Sequence, residues 1–571
     1  MGFFSRLTAA AVLGLSAFAS VSAQATDSSV PLPIVDLGYA RQQASSYNST
    51  GGYYNFSNIR YAAPPVGDLR FAAPQAPAVD RTHVQTGNRA RICPQAAPGW
   101  EAIAAQFVPA YLQGQTNFTM SDFNRSMSNS IASATVIDSA EDEDCLFLDV
   151  MVPEDIFKSD KQHPVLVWIY GGGYLAGSKT GSGNPAGLLE RSQVSGNSSG
   201  VIYVALNYRL GAMGWLSGPT FQENGTVNAG LHDQRFALQW VQQNIHLFGG
   251  DPKNVTVVGQ SAGGGSILHQ ITAYGGNKGP APFAGAVVQS PGFFPLVSPS
   301  REEAIFTDFL NLLNVSTLAE ARKLPSSAII AANARQVLTT TPYGQTLYGP
   351  VVDGDFVPAL PGQLLAHGQY DKNVSIMTGH NTAEGLLFTS PFINSSSALD
   401  AFLITQFPAL QIMPSTLNYI TRTLYPPVFD GSQAQNYTNQ IGRAAAIVSE
   451  LAFTCNTVYL HKAYNKTYGY LFDIPPSIHG QDVPYTFYNG NGSTEAATEG
   501  NTGVQDVAVA LAMQKYITEF AKSSNPNRSG TPHFAMYGKN ATVQALGPQI
   551  GPMGDPAAKA RCDWWQKALI Y

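Results

Sequence analysis

Ser261 is the residue around which chemistry can be organised. It stands in Gly259-Gln260-Ser261-Ala262-Gly263, after the β-rich run Val255-Thr256-Val257-Val258 and before Gly264-Gly265-Ser266-Ile267-Leu268-His269, which can open a helix. A sharp strand-to-helix turn pushes a serine into strained φ/ψ and presents its hydroxyl. It needs small neighbours on both sides, here Gly259 and Gly263, so that the backbones pass without clash. The helix N-terminus then lies behind the hydroxyl and favours negative charge developing in front of it. The five-residue pattern alone is common and fits a plain glycine-rich turn; the strand–turn–helix setting is what points to a nucleophile.

Attack on a carbonyl requires donors for the oxyanion. Gly171-Gly172-Gly173-Tyr174 follows the apolar run Pro164–Tyr170. Glycines there can turn backbone N–H groups towards a ligand with no Cβ in the way, and a tetrahedral intermediate needs two or three donors at about 3 Å. The expected donors are Gly172, Gly173 and Ala262. A phosphate cradle is the competing reading, but no lysine follows at P-loop spacing.

A base must lie in a loop within reach of the serine, and an acid must orient it. Ten histidines are present. His479, in Pro475-Pro476-Ser477-Ile478-His479-Gly480, follows the late strand-like run Tyr468–Phe472; His246 and His269 fall in predicted helices, His163 precedes a strand, and His380 is the serious rival. Glu384 follows the run Val374–Thr378, with Asp353 and Asp355 as rival acids.

The elements that must position these groups are short apolar runs alternating with loops and helical stretches. Pro164–Tyr170, Gly200–Leu206, Val255–Val258, Gly285–Val288, Val374–Thr378 and Tyr468–Phe472 read as buried strands, and Phe236–Phe248 has helical spacing. The alternation predicts an α/β fold with a central, mostly parallel sheet. With no repeat and no long linker, residues 24–571 read as one catalytic domain.

Composition narrows the class. The 571 residues are 44% hydrophobic and 12% charged, with a net charge of −6. This excludes a disordered chain and supplies no basic footprint for nucleic acid. Residues 1–23 read as a secretory leader: Arg6 precedes the apolar run Leu7–Phe18, and Val21-Ser22-Ala23 ends in small residues, with cleavage expected after Ala23. The run is too short to span a membrane. Fifteen Asn-x-Ser/Thr sequons fit an extracellular chain: Asn48, Asn55, Asn117, Asn124, Asn197, Asn224, Asn254, Asn314, Asn373, Asn394, Asn436, Asn465, Asn491, Asn527 and Asn540. The four cysteines allow three pairings; the simplest is sequential, Cys93–Cys145 and Cys455–Cys562. No Cys-x-x-Cys or histidine cluster suggests a metal.

Several stretches together resemble the type B carboxylesterase/lipase group of α/β-hydrolases, which includes cholinesterases and the larger fungal lipases. They are Phe56–Phe71 (FSNIRYAAPPVGDLRF), Glu143–Leu148 (EDCLFL), Tyr170–Gly173, Asn207-Tyr208-Arg209, Asn228–Gln234 (NAGLHDQ) and Gly249-Gly250-Asp251-Pro252. The resemblance implies an α/β-hydrolase fold with insertions forming a gorge, a triad in the order Ser261, Glu384, His479, and no cofactor. It implies small-molecule or lipid esters as partners, with contact at a lipid interface but no stable membrane anchor; oligomeric state is not given. Activity is expected to fall as His479 protonates below neutral pH.

In this family the loop corresponding to 93–145 often forms a flap. Trp100, Ile103, Phe107 and Tyr111 fall on one helical face there, with Pro109 expected to kink or end the helix. That face suits a lid or simple packing. Tyr174, Phe293, Phe294, Leu387 and Phe388 resemble pocket positions and suggest an apolar substrate. Gln260 stands where cholinesterases carry Glu, which points to neutral esters, and Arg60 replaces the family's usual proline. Superfamily members lacking the serine act as binding modules, the alternative here. Long-chain lipase, short-chain carboxylesterase and aromatic-ester hydrolase are the alternatives among enzymes.

Overall fold

The computed structural model describes residues 31–123, 138–193, 200–295, 298–433, 437–489 and 503–567. The expected leader and the sequons at Asn124, Asn197, Asn436 and Asn491 lie outside them. The strands are β1 (Ile34–Asp36), β2 (Ala40–Gln43), β3 (Ser46–Asn48), β4 (Tyr53–Arg60), β5 (Asp80–Gln85), β6 (Phe147–Pro153), β7 (His163–Ile169), β8 (Ile202–Leu206), β9 (Gly250–Gln260), β10 (Gly285–Gln289), β11 (Ser375–Asn381), β12 (Thr467–Phe472), β13 (Thr542–Leu546) and β14 (Gly551–Gly554).

Eleven of them form one sheet in the order β14-β13-β12-β11-β10-β9-β7-β8-β6-β4-β3, while β1, β2 and β5 make a small separate one. From β13 to β8 neighbouring strands are parallel, and the pairs beyond them on both sides are antiparallel. The physical reason is visible in composition. β8 (Ile-Tyr-Val-Ala-Leu) and β10 (Gly-Ala-Val-Val-Gln) are buried along their whole length, as strands covered on both faces must be. β14 (Gly-Pro-Met-Gly) is mostly exposed and closes one edge.

The strand order reverses at β7, which has β8 on one side and β9 on the other. In parallel sheets the C-terminal edge at such a switch point is where ligands bind. Register keeps the strand ends level there: Ile169 pairs with Gly259, Gln260 with Gln289, Gln289 with Gly379, and Asn381 with Phe472. Whatever follows these four junctions emerges together.

The helix expected at 236–248 begins earlier, at Ala229, and ends at Asn244, with a 3-10 turn over Ile245–Phe248. Apolar periodicity misses its start because the first turns bury polar groups. Asp233 forms a bidentate pair with Arg209, both arms 2.7 Å, and Gln234 donates to Ser266. The flap helix spans Glu101–Leu112 and continues through Pro109 for a further three residues. Its Ile103 and Phe107 pack with Phe118, Phe123, Leu386, Ile441 and Ile478 in one apolar cluster. The cysteines are joined as Cys93–Cys145 and Cys455–Cys562. Arg60 finds its explanation in a bidentate pair with Asp144 at 2.6 and 2.8 Å, while its guanidinium lies 4.4 Å over the Phe147 ring. A proline could make neither contact.

Candidate active site

β9 ends at Gln260 and a helix begins at Ala262, leaving Ser261 alone in the turn at φ 56°, ψ −125°. Only glycines tolerate this crossing. A Cβ on Gly259 would stand 2.7 Å from the Gly263 carbonyl carbon, and one on Gly263 2.0 Å from the Ile169 oxygen. The strained serine is clamped to the end of β10: its N–H donates to the Gln289 carbonyl (3.0 Å), and its carbonyl accepts from Gly292 N–H (2.9 Å).

Glu384 opens a short 3-10 turn three residues after β11, and His479 lies in the loop after β12. Those two loops are tied together. Ala383 N–H donates to Ser477 O (2.9 Å), Thr382 N–H to Ser477 Oγ (2.9 Å), and Asn381 Nδ2 to Ile478 O (2.6 Å). The outcome is a continuous line: Ser261 Oγ is 2.7 Å from His479 Nε2, and His479 Nδ1 is 2.5 Å from Glu384 Oε2. With Nδ1–H given to the carboxylate, Nε2 is left to accept from the serine.

Glu384 is completely buried. Burial alone would raise its carboxyl, but the facing imidazole and hydrogen bonds from His479, Ser290 and the Asn381 N–H outweigh that and hold it below the ordinary value. Its second oxygen accepts from Ser290 Oγ and Asn381 N–H, each at 2.6 Å. Sequence reasoning missed Ser290. The available signal was its position directly after a buried strand, before Pro291-Gly292, which matches that of Ser261 after β9.

After β7 the chain turns with Gly172 at φ 109°, Gly173 at φ 62° and Tyr174 at φ 63°. A Cβ on Gly171 would sit 2.8 Å from the Ser261 Cβ, so this turn lies against the serine. The N–H groups of Gly172, Gly173 and Ala262 donate to no group among the described residues.

The five expected pocket residues separate. Phe388 lies 5.1 Å from the His479 ring and Phe294 packs edge-on against Phe388 at 5.9 Å. Leu387 joins the cluster under the flap helix. Tyr174 and Phe293 fill the body instead: the Tyr174 hydroxyl donates to Gly292 O (3.1 Å), and Phe293 packs on His269 at 4.8 Å. The ring nearest the histidine, Phe453 at 4.3 Å, was not anticipated.

The rivals are engaged elsewhere. His380 Nε2 is 3.9 Å from Asp555, and His269 Nδ1 is 2.7 Å from Gly265 O, with burial lowering the His269 imidazole to about 4. Asp353 accepts from Asn228, and Asp355 pairs with Lys278. Asp482, three residues past His479, is another buried acid the sequence did not flag. One oxygen accepts from Tyr470 OH (3.0 Å), and the other has no partner among the described residues. Burial, followed by the charge of Glu384, pushes its carboxyl up to about 6.

Comparison with known proteins places the chain in a family. A sequence profile of the carboxylesterase family matches residues 33–565. Carboxylesterase patB of Penicillium expansum is 42% identical over 556 residues, covering 94% of this chain and 96% of that protein. Lipase 1 of Geotrichum candidum is 30% identical, covering 83% of this chain and 84% of its own. The crystal structure of Aspergillus niger EstA superposes with a TM-score of 0.75 at 26% identity, covering 94% of this chain and 98% of that one. With its serine at the strained turn after the central strand of an α/β-hydrolase sheet, the chain belongs to the carboxylesterase family of carboxylic ester hydrolases.

Proposed function

We propose that this chain hydrolyses neutral carboxylic esters through Ser261, His479 and Glu384, with a covalent acyl-enzyme intermediate. The observation that carries the reading is the hydrogen-bonded line from Ser261 Oγ through the imidazole to a buried carboxylate. His479 Nε2 takes the Ser261 proton as Oγ bonds to the ester carbonyl carbon. The carbonyl oxygen becomes an oxyanion held by the N–H groups of Gly172, Gly173 and Ala262. On collapse the C–O bond to the alcohol breaks, and His479 returns its proton to the leaving alkoxide. Water then gives a proton to His479, attacks the acyl-serine carbonyl and releases the carboxylic acid, restoring Ser261. Glu384 fixes the tautomer and offsets the imidazolium charge.

Residues 24–571 act as one catalytic domain, exported after removal of residues 1–23. Support comes from the leader-like start and the sequons. Asn117, Asn224, Asn314, Asn373, Asn394, Asn465 and Asn540 are exposed. A relative at 31% identity, from Arthroderma benhamiae, is named a secreted lipase. No helix among the described residues is long and apolar enough to cross a membrane. The rings of Phe453 and Phe388 packed against His479 favour a carboxylesterase over an enzyme for long acyl chains.

The test is hydrolysis of p-nitrophenyl butyrate by wild type and Ser261→Ala, with covalent trapping by an organophosphonate. Wild type should be labelled at Ser261, and the variant should lose both labelling and nearly all turnover. A variant as active as wild type would overturn the proposal.

A further inference from the structure

Phe453 reaches His479 because a helix is interrupted. The helix Gln440–Ser449 passes into a π-helical turn, Glu450–Thr454, and resumes as Cys455–Ala463. Such a turn adds a residue without ending the helix, so later side chains are rotated by about 100° from where an unbroken helix would carry them. π-turns of this kind gather at functional sites.

Separate ties hold the turn. Glu450 accepts from Arg561 Nε (2.7 Å) and from Tyr425 OH (2.6 Å). Arg561 lies on the helix Ala560–Gln566, whose Cys562 is bonded to Cys455. On the other side Asn456 Nδ2 donates to Pro291 O (2.9 Å) and Ala452 O (3.1 Å), joining the turn to the chain after β10. Gly292 in that chain must lack a side chain, since its Cβ would stand 2.4 Å from Phe453 Cε1.

Held there, Phe453 completes a ring cluster. Its centroid is 5.0 Å from Phe388 and 6.2 Å from Phe294, and Trp100, at the start of the flap helix, meets Phe388 at 5.9 Å. Phe453 and Phe294 are buried. We propose that Phe453 is the specificity-determining ring of the site: with Phe388 and Phe294 it limits the substrate group beside His479 to short or flat ones, and the Glu450–Arg561 pair keeps it in place. This rests on the Ser261–His479–Glu384 reading above. Arg561 is accordingly a positioning residue, acting through the π-turn.

The experiment measures kcat/KM for p-nitrophenyl acetate, butyrate and octanoate with wild type, Phe453→Ala, Phe453→Leu and Arg561→Met, active sites being counted with an organophosphonate. Wild type should prefer the short esters. Phe453→Ala should raise the octanoate-to-acetate ratio by about tenfold or more, the scale of discrimination an apolar pocket achieves, mainly through a lower octanoate KM. Arg561→Met should move the ratio the same way by less. If Phe453→Ala gives no titratable enzyme, the Leu and Met variants decide. An unchanged ratio in fully titrating variants overturns this inference alone; a wild type that cannot be labelled overturns the triad reading and this inference with it.

Discussion

At the residue scale, Glu384 and Asp482 are two buried carboxyls close enough to influence each other and pushed in opposite directions. Glu384 is lowered by the imidazole and three hydrogen-bond donors. Glu384→Gln keeps the shape but removes the charge facing His479 and can present an N–H where an acceptor is needed. Turnover should fall roughly 10³–10⁴-fold, measured as kcat on p-nitrophenyl butyrate per folded enzyme; a loss below tenfold would deny Glu384 its role. The depressed Glu384 value contributes stability present above the ordinary carboxylate range and lost as pH falls through the folded-state value. Asp482 has the reverse sign. Its value is raised from 3.8 to about 6, so the fold binds more protons than the unfolded chain between those values, and stability falls as pH rises through that window. Asp482→Asn should therefore stabilise the protein at pH 8 by on the order of 1–3 kcal/mol and give little at pH 4. Urea unfolding at both pH values tests this, and an equal gain at both would show that ionisation is not the cause.

At the element scale, the site is a set of strand ends held level by register, and the elbow depends on backbones in near contact. Gly263→Ala puts a methyl 2.0 Å from the Ile169 oxygen, where the helix after Ser261 crosses β7. Backbone cannot move aside as a flexible side chain can, so the crossing must open. We expect Gly263→Ala to lose organophosphonate labelling and to lower the thermal midpoint by several degrees. Gly554→Ala, on the edge strand where a Cβ meets nothing within 4 Å, should change neither, and equal behaviour of the two would refute the steric argument. The elbow was legible in the sequence because strand, turn and helix occupy one continuous stretch with fixed spacing. Ser290, Phe453 and Asp482 were not legible, since each becomes part of the site only through proximity to a different element of the fold: Ser290 to Glu384, Phe453 to His479, and Asp482 to Glu384. The π-turn carrying Phe453 also leaves no mark in Ser449–Cys455, which reads as ordinary helix. The position after a late strand already favoured His479, with His380 as its rival, whereas Glu384 competed with Asp353 and Asp355 until the family resemblance separated them.

At the scale of the whole molecule, the central strands were legible because burial on both faces demands unbroken apolar runs, whereas β1–β5, β13 and β14 are short or half-exposed and carry polar residues that blend into loops. The two disulfides brace different parts of this plan. Cys145 lies two residues before the start of β6, so its bridge ties the start of the flap region to a strand already fixed on both sides in the sheet. Cys562 lies in the last described helix, which is also anchored by side chains such as Trp565, which donates to Tyr425 OH (2.8 Å). Their sequence separations are 52 and 107, for which loop-closure entropy gives about 4 and about 5 kcal/mol. Entropy alone makes the two bridges nearly equal. The folded state separates them further, because freeing Cys562 also releases the helix whose Arg561 grips the π-turn at Glu450. Cys455→Ser/Cys562→Ser should accordingly lower the urea midpoint more than Cys93→Ser/Cys145→Ser does. It should also shift acyl-chain preference before global unfolding begins, while the other pair leaves that preference at its wild-type value. Equal midpoints with no change in preference would mean that the second bridge acts only on the unfolded chain and that the π-turn stands without it.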